Sequence, residues 1–414
     1  MFNRMLTWVD QRFPLTVFIK HGLTDYPTPR NLSYLWNFGF LAGFVLVLQL
    51  ATGIFLAMHY KADSTLAFDS IQHIMRDVNY GWLLRYLHST GASAFFVVVY
   101  VHMARTLYYG SYRAPRELLW WTGQGLLLLL MAISFMGYLL PWGQMSYWGA
   151  AVITNLFRAT PFIGDQVVIW LRGDYGVGDA TLTRFFALHY LFPFIIAGAV
   201  VIHLVALHTV RSSNPSGINL ADKDNIPFHP YFTIKDFFGL GVYLLVFFTF
   251  VFFFPDFFIE PANNIPANAM QTPAHIVPEW YFLPFYAILR SVPDLIGGVA
   301  AMGLSVMIFA AMPYMDRSHI PGGAHFRPWY RISFFVFMVD IFMLGYVGSQ
   351  PVTDNIVLLG RIATVIYFAT FLLLPFISKK EEQWMRARGL PPALKVLFEH
   401  RDTRTKWWNS VDIK

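Results

Sequence analysis

Eight stretches of the chain are continuously apolar, near residues 36–58, 82–108, 118–140, 183–208, 236–255, 295–315, 329–348 and 355–377. Each reaches the roughly 20 residues that a helix needs to cross the hydrocarbon core of a bilayer. Two connections, 142–182 and 256–294, are long and rich in Pro, Gly and aromatic residues, and loops of that size with structure of their own usually carry function. A polar run, Asn214-Pro215-Ser216-Gly217, and a charged one, Asp222-Lys223-Asp224, separate the first four stretches from the last four. The pattern predicts an all-α integral membrane protein with eight transmembrane helices. Its expected units are an N-terminal four-helix bundle (1–213), a linker (214–234), a C-terminal transmembrane half (235–378) and a basic tail (379–414) with a short interfacial helix at Ala393 to His400.

Composition agrees with that reading: 56% of residues are hydrophobic and 13% charged, about half the charged share of a soluble domain. No apolar stretch with a small-residue cleavage site precedes residue 36, so the first span is expected to serve as the insertion signal. The formal charge of +6 is distributed by loop rather than gathered for nucleic acid. Bases collect at Arg4, Arg12, Lys20 and Arg30, at Arg105, Arg113 and Arg116, at Arg211, Lys223 and Lys235, at Arg317, Arg327 and Arg331, and from Lys379 onward. The alternate connections hold acids, including Asp63, Asp69, Asp77, Asp165, Asp174, Asp179, Asp256 and Glu260. Positive-inside asymmetry then puts both termini on the cytoplasmic or matrix face, which requires an even number of spans. The chain has no cysteine, which excludes disulfides, cysteine-ligated iron–sulfur clusters and thioether-attached haem.

The candidate chemistry lies in four histidines. His88 and His102 share the second apolar stretch, His189 and His203 the fourth, each pair 14 residues apart. On a helix that interval rises about 21 Å and returns to within about 40° of the same face. One helix intervenes, so the two stretches run parallel; His88 is level with His189, and His102 with His203. Any one of these histidines alone reads as a hydrogen-bonded core residue. Two matched pairs inside hydrocarbon suit two non-covalent b-type haems, each held by one imidazole from each helix. Gly39 and Gly53 in the first stretch, and Gly123 and Gly137 in the third, repeat the 14-residue interval and would let a flat macrocycle approach the backbone, although small residues also serve ordinary helix packing. Arg85 and Arg105, each three residues from a histidine, are placed to pair with haem propionates or to snorkel to the interface. The other histidines have no paired spacing, and no zinc or copper site is indicated. Asp340 lies within a span and must face protein or water.

With Trp36-Asn37-Phe38-Gly39, Gly143-Gln144-Met145-Ser146-Tyr147-Trp148-Gly149, Pro227-Phe228-His229-Pro230 and Pro278-Glu279-Trp280-Tyr281, the chain closely resembles cytochrome b of the respiratory quinol:cytochrome c oxidoreductase, complex III. The resemblance runs from about residue 30 to 378. The plastid-type relative is split in two and has one more residue in its second histidine pair; this unsplit chain fits the respiratory type.

That resemblance implies quinol oxidation on the outer side, with bifurcated electron transfer, and quinone reduction on the inner side, the two joined by the outer haem (His88, His189) and the inner haem (His102, His203). At the outer site it implies Glu279 as proton acceptor, Tyr281 beside it, Tyr138 and Tyr286 lining or gating the pocket, Pro278 in the motif, and a wall from Gly143 to Ile153 that includes Gly149. A carboxylate desolvated there should have a raised pKa, although a glutamate after proline also commonly begins a helix. At the inner site, His208 is five residues past His203 and rotated roughly 140° from the ligand stripe, badly placed to bind the same iron and well placed to meet a quinone. By resemblance Ser212, Lys235 and Asp236 face it, and a solvated helix start is the plainer reading of the last two. The implied partners are a Rieske iron–sulfur protein, a membrane-anchored c-type cytochrome, a second copy of the chain and membrane lipids, with no nucleic acid. The implied location is a bacterial inner membrane, with the mitochondrial inner membrane as the alternative. Two other readings stay open: a smaller dihaem electron shuttle, and a secondary transporter with broken spans.

Overall fold

The computed structural model describes residues 2–217 and 225–389, so Asp222 to Asp224, Pro391-Pro392 and the expected helix at Ala393 to His400 lie outside the described residues. Among the described residues, eight helical spans are long and apolar enough to cross a membrane: α1 (Phe38–Ala57), α2 (Gly81–Tyr109), α3 (Glu117–Leu139), α4 (Asp179–Val210), α5 (Tyr231–Phe253), α6 (Leu295–Met307, in a span that continues to Met315), α7 (Pro328–Ser349) and α8 (Asp354–Leu372). They expose Val47, Leu245, Phe342 and Val365, large apolar side chains that water would not tolerate in such numbers and lipid does. The expected fold class and count of spans are therefore borne out.

The spans differ from the expected ones in places where proline or packing decides. α6 tightens after Met307 into a 3-10 turn, Ile308–Ala311, and a short helix, Met312–Met315, that begins before Pro313. α4 runs 32 residues through Pro193, a break in the backbone ladder that membrane helices accommodate. α8 stops at Leu372, and a separate helix, Leu374–Ala387, starts with Pro375 in its first turn, the position where a missing N–H costs nothing.

α1 packs along α2 and α3 along α4, which makes the N-terminal bundle. The C-terminal half packs α7 and α8 around the short helix Leu283–Ser291, with Phe309, Phe337, Tyr367 and Phe371 in its buried centre. The halves are stitched by Trp120, whose Nε1 donates to the Phe309 carbonyl at 2.6 Å, and by Gln124, whose amide donates to Val306 at 3.0 Å. Asp340 is buried within α7 with one carboxylate oxygen unpartnered.

At the end of the bundle near His203, three segments meet in a cluster of buried charge. Asp316 accepts from Tyr112 at 2.9 Å, from Arg113 Nε at 2.8 Å and from Arg327 at 2.8 Å, while Arg327 Nε also donates to Glu381 at 2.9 Å. Glu381 further accepts the amides of Trp329 and Tyr330. The chain past Ser378, expected to begin a surface tail, thus continues here as a helix whose acidic residues are buried in a joint between the two halves.

A two-stranded ribbon lies at the same end: Pro27–Pro29 pairs antiparallel with Asn225–Pro227, Thr28 opposite Ile226. At the far end, the two long connections fold onto one another. Gly143 bridges Pro266, Gln144 N–H donates to Ile265 at 2.9 Å, and Asn263 Oδ1 accepts the Ser146 amide at 2.9 Å. Helices Gln144–Leu156 and Gly164–Arg172 are carried on this connection.

Candidate functional site

α2 and α4 bring His88 and His189 opposite one another, their ring centres 6.1 Å apart and their planes at 80°. A metal–imidazole bond is about 2.0 Å, so two such bonds in line, with the ring radii added, put the ring centres roughly 6 Å apart. The spacing therefore fits one metal ion between the two nitrogens. His102 and His203 stand on the same two helices, 14 residues further along each.

The proton positions on three of these rings follow from their neighbours. His189 Nδ1 lies 2.9 Å from the Ile133 carbonyl, which can only accept, so Nδ1 carries the hydrogen. Thr52 gives its hydroxyl hydrogen to Leu48 at 2.7 Å and lies 3.0 Å from His88 Nδ1; Thr122 gives its own to Leu119 at 3.0 Å and lies 2.8 Å from His203 Nδ1. Each hydroxyl oxygen is thus left to accept from the ring. In all three cases the Nε2 lone pair remains for a metal. His102 differs: Arg105, which can only donate, reaches its Nδ1 at 3.4 Å, and among the described residues no acceptor fixes that ring.

The four glycines make room for the rings themselves. A Cβ at Gly53 would come within 3.1 Å of His88, at Gly123 within 3.2 Å of His203 and at Gly39 within 3.3 Å of His102, with Gly137 nearer still to His189. Each glycine therefore serves the imidazole at its own level, a closer reason than the approach of a macrocycle. Arg105 stacks over Trp36 at 4.8 Å, and its buried Nε and the Trp36 Nε1 have no partner. These are two buried donors that an anionic group could satisfy. Arg85 borders the other level, on the wall of a large cavity.

That cavity runs from His88, His189 and Gly137 to Tyr138, Glu279 and Tyr281. Burial, helped by the like charge of Glu260, pushes the Glu279 carboxyl up to about 7, against a hydrogen bond from Tyr138 that favours its charged form. Tyr281 is buried in a stack on Phe96, ring centres 3.8 Å apart. The motif is held by α2: Tyr100 donates to the Tyr281 carbonyl at 2.7 Å and Trp280 Nε1 to Ser93 at 3.3 Å. Gly149 lies beside the Tyr138 ring, where a Cβ would sit at 3.9 Å. Pro278 precedes the motif's buried core without lining the cavity, and Tyr286 stands apart, its ring under Arg290 at 5.0 Å. The sequence marks Glu260 only as a loop acid and does not single out Thr52, Thr122 or Asn263. A threonine next to each of Gly53 and Gly123 is the one signal that could have pointed to the first pair.

At the other end, His208 is stacked by Tyr26, ring centres 4.5 Å apart at 26°. Lys235 donates to the Leu32 carbonyl and stacks on Tyr34 at 4.8 Å, and Asn37 donates to the Lys235 carbonyl at 3.0 Å. Asp236 is buried on α5 and Ser212 donates to Ser213 at 3.0 Å. The segment from Tyr26 to Tyr34 therefore touches His208 at one end and Lys235 at the other. No direct bond joins His208 to Lys235 or Asp236 among the described residues.

Two family profiles match the chain: Cytochrome b/b6/petB over residues 23–211 and Cytochrome b(C-terminal)/b6/petD over residues 266–368. A protein named cytochrome b from Rickettsia prowazekii is 56% identical over 382 residues, 92% of this chain and 96% of its own length. The cytochrome b of Rhodospirillum rubrum is 56% identical over 373 residues, 90% of this chain and 92% of its own. Among solved structures, a chain of a hyperthermophilic respiratory complex III superposes with a TM-score of 0.86 at 37% identity, covering 92% of this chain and all of that one.

Proposed function

This chain belongs to the cytochrome b family, and from that premise we propose that it is the dihaem subunit of a complex III-type quinol:cytochrome c oxidoreductase, carrying one of two electrons from quinol across a bacterial inner membrane. The family implies b-type haem. Two such groups, when bound, supply one-electron centres at two depths of the membrane.

The residues divide that work by level. His88 and His189 hold the outer group, with Thr52 and the Ile133 carbonyl fixing their nitrogens; His102 and His203 hold the inner one, with Thr122 doing so for His203. Arg85 and Arg105 offer cations to propionates. Glu279, with a pKa near the working range, takes a proton from quinol in the outer cavity while Tyr138 hydrogen-bonds it, and Tyr281 stacks the pocket wall against α2. The remaining electron leaves through an external Rieske-type protein and a c-type cytochrome, since a chain without cysteine can ligate neither centre itself. On the inner side, His208, Ser212, Lys235 and Asp236 meet the quinone that is reduced, so that protons leave on one face and enter on the other. Both termini then lie in the cytoplasm, and the complex forms as a dimer.

The observation that carries this reading is the His88–His189 pair at metal-bridging distance with Nδ1 already committed. A haem count with redox titration tests it: wild type should hold two b haems, and His88→Leu and His203→Leu should each remove a different one. Loss of the same centre from both variants, or of neither, would overturn the assignment.

A further inference from the structure

We propose that Tyr26 is a working part of the inner quinone pocket, its ring fixing the His208 imidazole by stacking and its hydroxyl serving as a second hydrogen-bond donor to the quinone headgroup. The proposal rests on the reading of His208 as the inner quinone contact and adds a residue to it.

Three observations carry it. The Tyr26 and His208 rings are nearly parallel with centres 4.5 Å apart, so one face of an otherwise exposed imidazole is covered. A His ring in the last turn of α4, free on both faces, would sample several rotamers; a stacked one presents a fixed edge. The Tyr26 hydroxyl is buried and its hydrogen reaches no acceptor among the described residues, a state that favours a ligand able to accept from it. Its oxygen is within reach of the Ser212 backbone N–H as a donor, with Arg211 and Arg116 nearby, and so it faces the same polar end as the other inner-site residues. Finally, the backbone that carries the ring is held in place. Phe228 N–H donates to the Tyr26 carbonyl at 3.0 Å, and the next residue, Pro27, pairs with Pro227 in the ribbon. The ribbon ties this segment to the start of α5, where Lys235 and Asp236 sit, so a ligand between His208 and α5 would have Tyr26 along one side.

The chemistry required of the ligand is a flat ring with hydrogen-bond acceptors along one edge, a carbonyl for the imidazole and an oxygen on the same side for the hydroxyl donor. No electron or proton is assigned to Tyr26; it binds and orients.

The intact complex, with haems pre-reduced, can be mixed with a decyl-substituted benzoquinone and haem oxidation followed against quinone concentration. His208→Leu defines the inner-site component. Tyr26→Phe, which keeps the stack and deletes the hydroxyl, should raise the half-saturating quinone about fivefold, the loss of one hydrogen bond. Tyr26→Leu, which deletes both, should raise it roughly ten- to thirtyfold, and Tyr26→Trp should recover part of that loss. Haem content, read from the spectra, should match wild type in all three Tyr26 variants. Wild-type half-saturation in Tyr26→Phe and Tyr26→Leu, with His208→Leu impaired, would overturn the role of Tyr26 and leave the inner site standing. Wild-type behaviour in His208→Leu would overturn the inner-site reading and this proposal with it.

Discussion

Thr122 accepts a hydrogen bond from the Nδ1–H of His203 at 2.8 Å while its own hydroxyl hydrogen goes to the Leu119 carbonyl at 3.0 Å. The same arrangement recurs 70 positions earlier at Thr52 and His88, at 3.0 Å. With the hydroxyl hydrogen on the carbonyl, the oxygen accepts from the ring, which holds the ring hydrogen on Nδ1 and pulls electron density toward Nε2.

Such a bond favours the higher oxidation state of whatever metal Nε2 holds, because a more basic imidazole donates more charge. Thr122→Val keeps the shape and removes the acceptor. The inner haem potential should then rise by about 40 mV, one hydrogen bond expressed for a one-electron couple, with the outer potential unmoved. Thr52→Val should do the reverse, and the serine variants should restore both. Redox titration followed optically checks all four.

The glycines allow a graded test. An added methyl would come closest to the ring at Gly137, then at Gly53, Gly123 and Gly39 in turn. Gly137→Ala should therefore lose the outer haem, while Gly39→Ala should retain the inner one with at most a shifted spectrum. Haem stoichiometry per polypeptide in the four alanine variants gives the order. An equal effect at all four positions would show that the spacing from ring to glycine does not decide occupancy.

Much of this was legible before any coordinates, for reasons that are specific to membranes. A spanning helix has one satisfactory backbone geometry in lipid, so an apolar stretch fixes its own path, and the alternation of Arg-rich and Asp-rich connections fixes which helices run parallel. From those two facts the level of His88 with His189 could be read by counting residues. What could not be read were contacts made by polar side chains across the connections. Thr52 and Thr122 look like any helical threonine that bonds back to its own turn. Glu260 and Glu279 are 19 residues apart in one loop, and nothing in the sequence says that the loop closes on itself. Glu381 follows Lys379 and Lys380 in a charged run, which reads as solvated surface until Arg327 is found against it. Tyr26 precedes two prolines in a segment without periodicity, so its meeting with His208 depends on a ribbon whose other strand is nearly 200 residues away.

On the proposed function, the pH dependence of quinol oxidation should follow Glu279, which is set first by burial and then by the like charge of Glu260. Burial and the Glu260 charge together hold the Glu279 carboxyl at about 7, so it is protonated below that pH and available as a base above it. Activity should rise as pH passes upward through about 7, and Glu279→Gln should lose both that limb and some 10²-fold or more of the rate. Glu260→Gln removes a like charge, which lowers the Glu279 pKa; the rising limb should move to lower pH with its height preserved. Steady-state quinol oxidation measured from pH 5 to 9 separates these outcomes, and a limb unmoved in Glu260→Gln would assign the shift to burial alone.

The buried joint at the inner end makes the last prediction, one about assembly rather than chemistry. Asp316, Arg327 and Glu381 have no solvent exposure at their side chains, and Arg113 brings the connection between α2 and α3 to the same carboxylate. Removing one member of such a cluster leaves an opposite charge buried without compensation, at a cost of about 3–5 kcal/mol, whereas removing both members of a pair costs far less. Arg327→Met should therefore sharply reduce accumulation of the chain in membranes and lower its thermal midpoint. Adding Glu381→Leu should recover part of both, since Asp316 still has Arg113 and Tyr112. Arg113→Met should also weaken the protein, but by loosening the two halves from each other, so that proteolysis between residues 110 and 117 becomes faster while the C-terminal half stays folded. If the double variant is no better than Arg327→Met alone, the Arg327–Glu381 pair is not coupled, and the helix Leu374–Ala387 is held by its apolar contacts instead.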